Sequence, residues 1–118
     1  MKKFLCIYTG TPDGMASFAK LPKAEQTQRE AEGMTAWKNW ATAHAASIVD
    51  SSGPLGPTKR VSKSGVTDTR NDLCAFVIVQ AESRGVAAAL FTGHPHFSVF
   101  PGEGVDVMEV LPVPGGQP

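Results

Sequence analysis

Most features that reveal a protein's chemistry are missing from this chain of 118 residues. It has only two cysteines, Cys6 and Cys74, and both lie in apolar segments, so neither a disulfide nor a zinc-binding cysteine pair is expected. Eleven basic residues balance eleven acidic ones, which argues against nucleic acid or an anionic membrane as a partner. The sequence also lacks a glycine-rich phosphate loop and a serine or cysteine nucleophile motif.

Long apolar runs are absent as well, and none approaches the length of a membrane span. The opening MKKFLCIYTG carries two lysines, as a signal peptide would, but its apolar run ends after Tyr8 and no cleavage pattern follows. An apolar fraction of 42% is enough for a hydrophobic core. We therefore expect a cytoplasmic protein with a single domain over 1–113 and a flexible tail, rich in proline and glycine, over 114–118.

The apolar pattern predicts six elements in the order β-α-β-β-α-β. Short aliphatic and aromatic runs bounded by glycine and proline indicate strands, whereas apolar residues at spacings of three and four indicate a long helix. Ser83 and Gly93 suit the two ends of a second, short helix. The prediction comprises strands at 3–8, 73–82 and 105–113, a hairpin at 58–68, a loop at 50–57, and helices at about 23–47 and 83–93.

With right-handed crossovers, this order predicts an α+β fold of the ferredoxin-like βαββαβ type, a four-stranded antiparallel sheet with two helices on one face. Both faces of its strands are apolar, because Leu5 and Ile7 alternate with Phe4, Cys6 and Tyr8. A sheet with one solvated face would alternate apolar with polar residues instead. No element remains to cover the helix-free face, so we expect a homodimer formed through it.

Several short motifs follow one another in a distinctive order. They are FLCIY in the first strand, GPLGPTKRV and GVTDT around the hairpin, CAFVIVQA in the central strand, and HP followed by VDVMEVLPV at the end. Together they resemble the YCII-related proteins, in particular the branch named after a DGPF motif, over nearly the whole chain. The resemblance implies a dimeric α+β barrel and a small-molecule enzyme, with a histidine–aspartate pair at the site in some members. Of the Asp-Gly-Pro-Phe motif only Asp68 is retained, in DTRN.

Asp68, His94 and His96 are the candidate catalytic residues. The two histidines flank Pro95, where they could ligate a metal, transfer protons or end a helix. Zinc normally takes three or four protein ligands and nothing in the spacing joins His44 to the pair, so no metal is expected. The second helix returns alongside the sheet and brings 94–96 back towards Asp68. We therefore expect a cleft in which Asp68 orients an imidazole that acts as a general base.

Tyr8, Trp40 and His44 are the candidate ligand-binding residues. Tyr8 ends a buried strand, and Trp40 and His44 share the apolar stripe of the long helix, a pattern that core packing also produces. The leading hypothesis is a small-molecule enzyme or binding protein that needs no cofactor. The alternatives are a cofactor-independent monooxygenase of the dimeric α+β barrel type and a non-catalytic module that senses a ligand or binds a partner.

Overall fold

The computed structural model of the chain describes residues 1–115, with the backbone alone for 50–52. Of the predicted tail, 116–118 therefore lie outside the described residues. The elements are β1 (Lys2–Gly10), α1 (Pro12–Ala19), α2 (Lys23–Ala43), β2 (Ile48–Pro54), β3 (Thr58–Ser62), β4 (Gly65–Thr69), β5 (Leu73–Ala81), α3 (Arg84–Ala89), a 3₁₀ turn (Pro95–Phe97) and β6 (Gly102–Glu109).

Four strands form one sheet in the order β2-β5-β1-β6, and every neighbouring pair is antiparallel. Together with the three α-helices, this confirms the predicted α+β class with an antiparallel sheet. No helix among residues 1–115 is long and apolar enough to cross a membrane. The two longest strands, β1 and β5, lie at the centre, and they carry most of the core.

The core lies on one face of the sheet. Phe4, Cys6 and Tyr8 of β1 pack beside Val77 and Val79 of β5, and all five side chains are buried. The other members of this cluster are Ala75, Ala81, Ala87 and Phe91, with Trp37, Trp40 and Leu90 of the helical layer packed against it. The opposite face carries Leu5, Ile7, Phe76 and Ile78, which are only half-buried.

The second strand of the sheet is not where composition places it. Segment 50–57 was predicted to be a loop, but its first part belongs to β2, and the hairpin β3–β4 forms a separate two-stranded sheet. β2 pairs with β5 through an irregular register, and the Leu55 amide donates to the Cys74 carbonyl at 2.8 Å. Pairing with a central strand thus overrides the unfavourable composition of DSSGP.

The helices also differ from the prediction. The turn signals TGTPDG contain the start of α1, which was not predicted; Thr11 caps it by accepting from the Gly14 amide at 3.0 Å, and Pro12 occupies the first turn. The long helix α2 ends at Ala43 rather than at residue 47, since Ile48 already belongs to β2. The second predicted helix is shorter too, but Gly93 does take the left-handed conformation, with φ of 71°.

Candidate functional site

His94 and His96 are both buried, in the turn that follows α3. Pro95 begins the 3₁₀ turn, and His94 caps it, because its Nδ1 accepts the backbone N–H of His96 at 2.9 Å. The two histidines therefore have different roles. His94 stabilises the turn in which His96 lies.

The hydrogen bonds of His94 define its tautomer. Since Nδ1 is an acceptor, the neutral ring carries its proton on Nε2, which donates to the Tyr8 hydroxyl at 3.0 Å. Burial, with smaller contributions from the nearby His96 and His44, lowers the pKa of His94 to about 4. Burial also raises the pKa of the Tyr8 phenol, so both groups are neutral at pH 7.

His96 is held by a break in the strand pairing. The register of β1 shifts beside Thr9 on both sides, against β5 and against β6. The Thr9 carbonyl lies 2.7 Å from Nε2 of His96 and accepts a hydrogen bond from its N–H. The neutral ring then presents Nδ1 as an acceptor. Within the described residues this nitrogen has no hydrogen-bond partner, and no fully buried side-chain nitrogen or oxygen lacks one, so Nδ1 remains accessible.

A cavity of about 630 Å³ lies beside His96. It is bounded by α1, α2, the neighbouring ends of the sheet strands and the segment after the 3₁₀ turn, and its wall is mainly apolar. Its larger apolar side chains are Met15, Met34, Trp37 and Phe100; its polar side chains are Thr35, Lys38, Cys74 and His96. Such a volume suits a small organic molecule, and a mainly apolar wall with a few polar groups is typical of ligand pockets.

Three predicted site residues come together, whereas Trp40 packs against the core and His44 lies beside Trp40. The ring of Tyr8 lies 5.0 Å from that of His94 and 5.2 Å from that of His96, centroid to centroid. Trp40 packs 4.5 Å from His94 and donates its indole N–H to the Leu90 carbonyl at 3.0 Å. His44 ends α2 and contacts Trp40. Of these five residues, His96 alone lines the cavity.

The structure does not bring Asp68 to the histidines. The Asp68 side chain is 85% exposed and accepts from Lys59 at 2.8 Å, whereas His94 is fully buried. The expectation assumed that the strand ending at Asp68 belongs to the main sheet. Because the hairpin is separate, its strand does not lead Asp68 into the cavity.

Two residues of α2 that were not candidate site residues line the cavity: Trp37, which also packs against the core, and Lys38. One available signal was Gly33, an unusual residue for the middle of a helix. It is buried, and a Cβ there would overlap the ring of Phe100. A glycine inside a helix often marks such a close contact, and here the contact is with Phe100 in the cavity wall.

Metal ligands are not grouped in the described part of the chain. Among residues 1–115, no three histidine, cysteine, aspartate or glutamate side chains lie close enough together to hold an ion. Both ring nitrogens of His94 and one ring nitrogen of His96 are also already hydrogen-bonded within the protein. The absence of a bound metal remains a prediction.

Comparison with known proteins supports the fold. A solved structure, 5-chloro-2-hydroxyhydroquinone dehydrochlorinase from Burkholderia phenoliruptrix AC1100 in complex with 2,5-dihydroxybenzoquinone, matches 98% of this chain and 99% of its own, with a TM-score of 0.56 and 16% identity. At that identity the likeness shows a shared fold. No family model matches the sequence, and no curated protein is similar to it by sequence. Membership of the YCII-related family therefore stays a prediction.

Proposed function

We propose that this protein is a small-molecule enzyme of the YCII-related kind, with the cavity beside α2 as its active site and His96 as its general base. The observation that carries the proposal is the state of His96. Its ring is only 4% exposed, one nitrogen is fixed by the Thr9 carbonyl, and it lines an apolar cavity large enough for a substrate. An imidazole held in one orientation, with one ring nitrogen left without a partner in the protein, is suited to removing a proton from a bound substrate.

The wall of the cavity supports a flat, largely apolar substrate. Trp37 and Phe100 offer aromatic surfaces, and the two methionines can adapt to different ring substituents. Lys38 lines the same cavity and can pair with an anionic oxygen of the ligand. The structural neighbour was solved with 2,5-dihydroxybenzoquinone, which makes hydroxylated rings the first compounds to test.

Binding without catalysis is the second candidate function, and one observation favours it. The hydrogen-bonding atoms of Tyr8 and His94 are engaged with each other, and Asp68 lies on the separate hairpin. Acid–base chemistry in the described cavity therefore depends on His96 alone among the predicted catalytic residues. A protein that holds its ligand and leaves it unchanged needs no second group.

The test compares His96→Asn with His44→Asn, the same substitution at a histidine outside the cavity. Wild type and His44→Asn are expected to gain thermal stability with 2,5-dihydroxybenzoquinone or with a related hydroquinone, catechol or benzoate. In His96→Asn the turnover rate should fall about 100-fold or more below that of wild type, because a general base typically accelerates a reaction by 10²–10⁴. Nuclear magnetic resonance follows loss of the compound and uptake of solvent deuterium.

Each outcome separates the candidates. Conversion by wild type that persists in His96→Asn contradicts the proposed base. Binding by wild type with neither conversion nor deuterium uptake favours the non-catalytic alternative. If no compound in the panel stabilises wild type, the proposed substrate class is wrong.

A further inference from the structure

Cys74 lies in the wall of the cavity because β5 is irregular at this residue. In the pairing of β5 with β1, Ala75 lies opposite Tyr8. The next pair is Leu73 with Thr9, so Cys74 is an extra residue without a partner in β1. Neighbouring residues of a regular strand point to opposite faces, whereas a bulge changes the direction of a side chain. Cys74 and Ala75 accordingly both line the cavity, and the irregularity supplies it with a thiol.

Two glycines place the Cys74 thiol at the same end of the cavity as the imidazole of His96. Gly10 and Gly102 lie opposite each other in β1 and β6. A Cβ at Gly10 would lie 3.1 Å from Sγ of Cys74, and a Cβ at Gly102 would overlap the ring of His96. The thiol and the imidazole therefore lie where two opposed side chains would otherwise stand.

The thiol is accessible, but it is a weak nucleophile by itself. Cys74 is half-buried and is not in a disulfide, and its Sγ donates to the Asp72 carbonyl at 3.5 Å. Burial, with a smaller contribution from Asp72, raises the pKa of this thiol. The thiolate is the reactive form of cysteine. The thiol of Cys74 therefore reacts slowly unless a neighbouring base removes its proton.

His96 is suited to be that base. Its side chain is buried and lines the same cavity, and its Nδ1 has no hydrogen-bond partner in the described part of the chain. A histidine that accepts the thiol proton is a common way of activating a cysteine. The cavity also suits a flat electrophile, because Trp37 and Phe100 offer aromatic surfaces and Lys38 can pair with an oxygen that becomes negative.

We propose that Cys74 is a nucleophile that forms a covalent bond with a quinone in the cavity, an inference that rests on the proposed function because it uses the same cavity and the same base. Quinones combine the flat ring that the cavity wall favours with carbon atoms that accept a sulfur nucleophile. Cys6, the other cysteine, is fully buried in the core and does not line the cavity, so it takes no part.

The reaction needs no further reactant. The thiol of Cys74 gives its proton to Nδ1 of His96, and sulfur forms a bond to a ring carbon conjugated with a carbonyl. The electron pair of the ring double bond moves to the carbonyl oxygen, which takes the proton from His96. The hydrogen of the attacked carbon then moves to the second carbonyl oxygen, which gives an aromatic dihydroxy ring. The thiol has supplied the two electrons that reduce the quinone, and the thioether keeps every atom of both.

Mass spectrometry after treatment with one equivalent of para-benzoquinone tests the inference. Wild type is expected to gain the mass of one whole quinone per chain, and peptide mapping should place it on Cys74. Cys74→Ser should lose this adduct, whereas Cys6→Ala, the matched control, should keep it. His96→Asn should slow the labelling about tenfold or more, because it removes the base, while His44→Asn should not.

A second measurement on wild type needs no substitution. The rate of reaction at Cys74 with para-benzoquinone is divided by the rate with iodoacetamide, which is not a ring compound. This ratio should exceed the ratio measured for glutathione by about tenfold or more, because the cavity holds the flat ring beside the thiol. Equal ratios would show that Cys74 reacts as an ordinary surface thiol and would overturn the inference.

The remaining outcomes distinguish this inference from the proposed function. An adduct on Cys6 or on no cysteine contradicts the role of Cys74, and labelling at an unchanged rate in His96→Asn contradicts its activation. Neither result bears on turnover, which is measured on ring compounds that are not electrophiles. Conversely, turnover that persists in His96→Asn contradicts the proposed function, while slowed labelling of Cys74 in the same variant still supports the inference.

Discussion

Gly102→Ala is expected to lower the free energy of unfolding by about 2–6 kcal/mol. A Cβ at this position would overlap the ring of His96, which is buried and tied to Thr9. Overpacking of this kind costs about 1–3 kcal/mol, and a ring that moves away also loses a buried hydrogen bond worth about 1–3 kcal/mol. Denaturant unfolding measures the change, and the same variant should bind ligand poorly because His96 is displaced.

Gly104→Ala on the same strand is the matched control. Its Cβ would come no closer than 3.4 Å to the Thr9 hydroxyl oxygen, so a change within about 1 kcal/mol is expected. The cause can be isolated in a His96→Ala background, where Gly102→Ala should cost little. Equal costs of Gly102→Ala with and without the imidazole would show that the ring is not what the glycine accommodates.

Acid should destabilise the protein by about 3 kcal/mol through His94 alone. The folded-state pKa of His94 is about 4, below its ordinary value of 6.5. As the pH falls through 6.5, His94 binds a proton in the unfolded chain, whereas in the folded chain it stays neutral until about pH 4. Protonation therefore stabilises the unfolded state relative to the folded one across this pH range. The total loss of unfolding free energy is about 1.4 kcal/mol for each unit of difference between the two pKa values.

Unfolding free energies of wild type and His94→Gln, measured from pH 7.5 to 4, give this contribution as a difference. The glutamine variant should be less stable at pH 7 and should lose less stability on acidification, so the two curves converge. Tyr8→Phe keeps the imidazole and should keep the acid sensitivity of wild type. Parallel curves for wild type and His94→Gln would mean that His94 does not resist protonation in the fold.

The sequence predicted the centre of this fold better than its edges. The apolar residues of β1 and β5 identify these two strands, because apolar side chains on both faces leave a strong pattern in the sequence. The segment DSSGP has no such pattern, and only its pairing with β5 makes it a strand. The hairpin was predicted correctly as a hairpin, but nothing local shows that it stays outside the main sheet.

The candidate site shows the same contrast between features that are visible locally in the sequence and features that depend on the fold. The closely spaced histidines of GHPHF marked a loop that contributes His96 to the cavity, since the chemistry of histidine is visible in any sequence context. Their partners were not visible, because Tyr8 and His94 are 86 positions apart and meet only through the packing of α3 on the sheet. Asp68 was placed beside them by the expected strand order, which the separate hairpin changes. Lys38 and Phe100 acquire a role only once the cavity exists.

The unequal surroundings of the two tryptophans give the protein a built-in optical signal. Trp37 lines the cavity, while Trp40 donates to Leu90 and packs on His94 away from it. A quinone or other ring compound that enters the cavity lies against Trp37 and should quench its fluorescence, leaving the emission of Trp40. Trp37→Phe should then abolish the quenching and Trp40→Phe should preserve it, so a titration followed by emission intensity reports occupancy without any label.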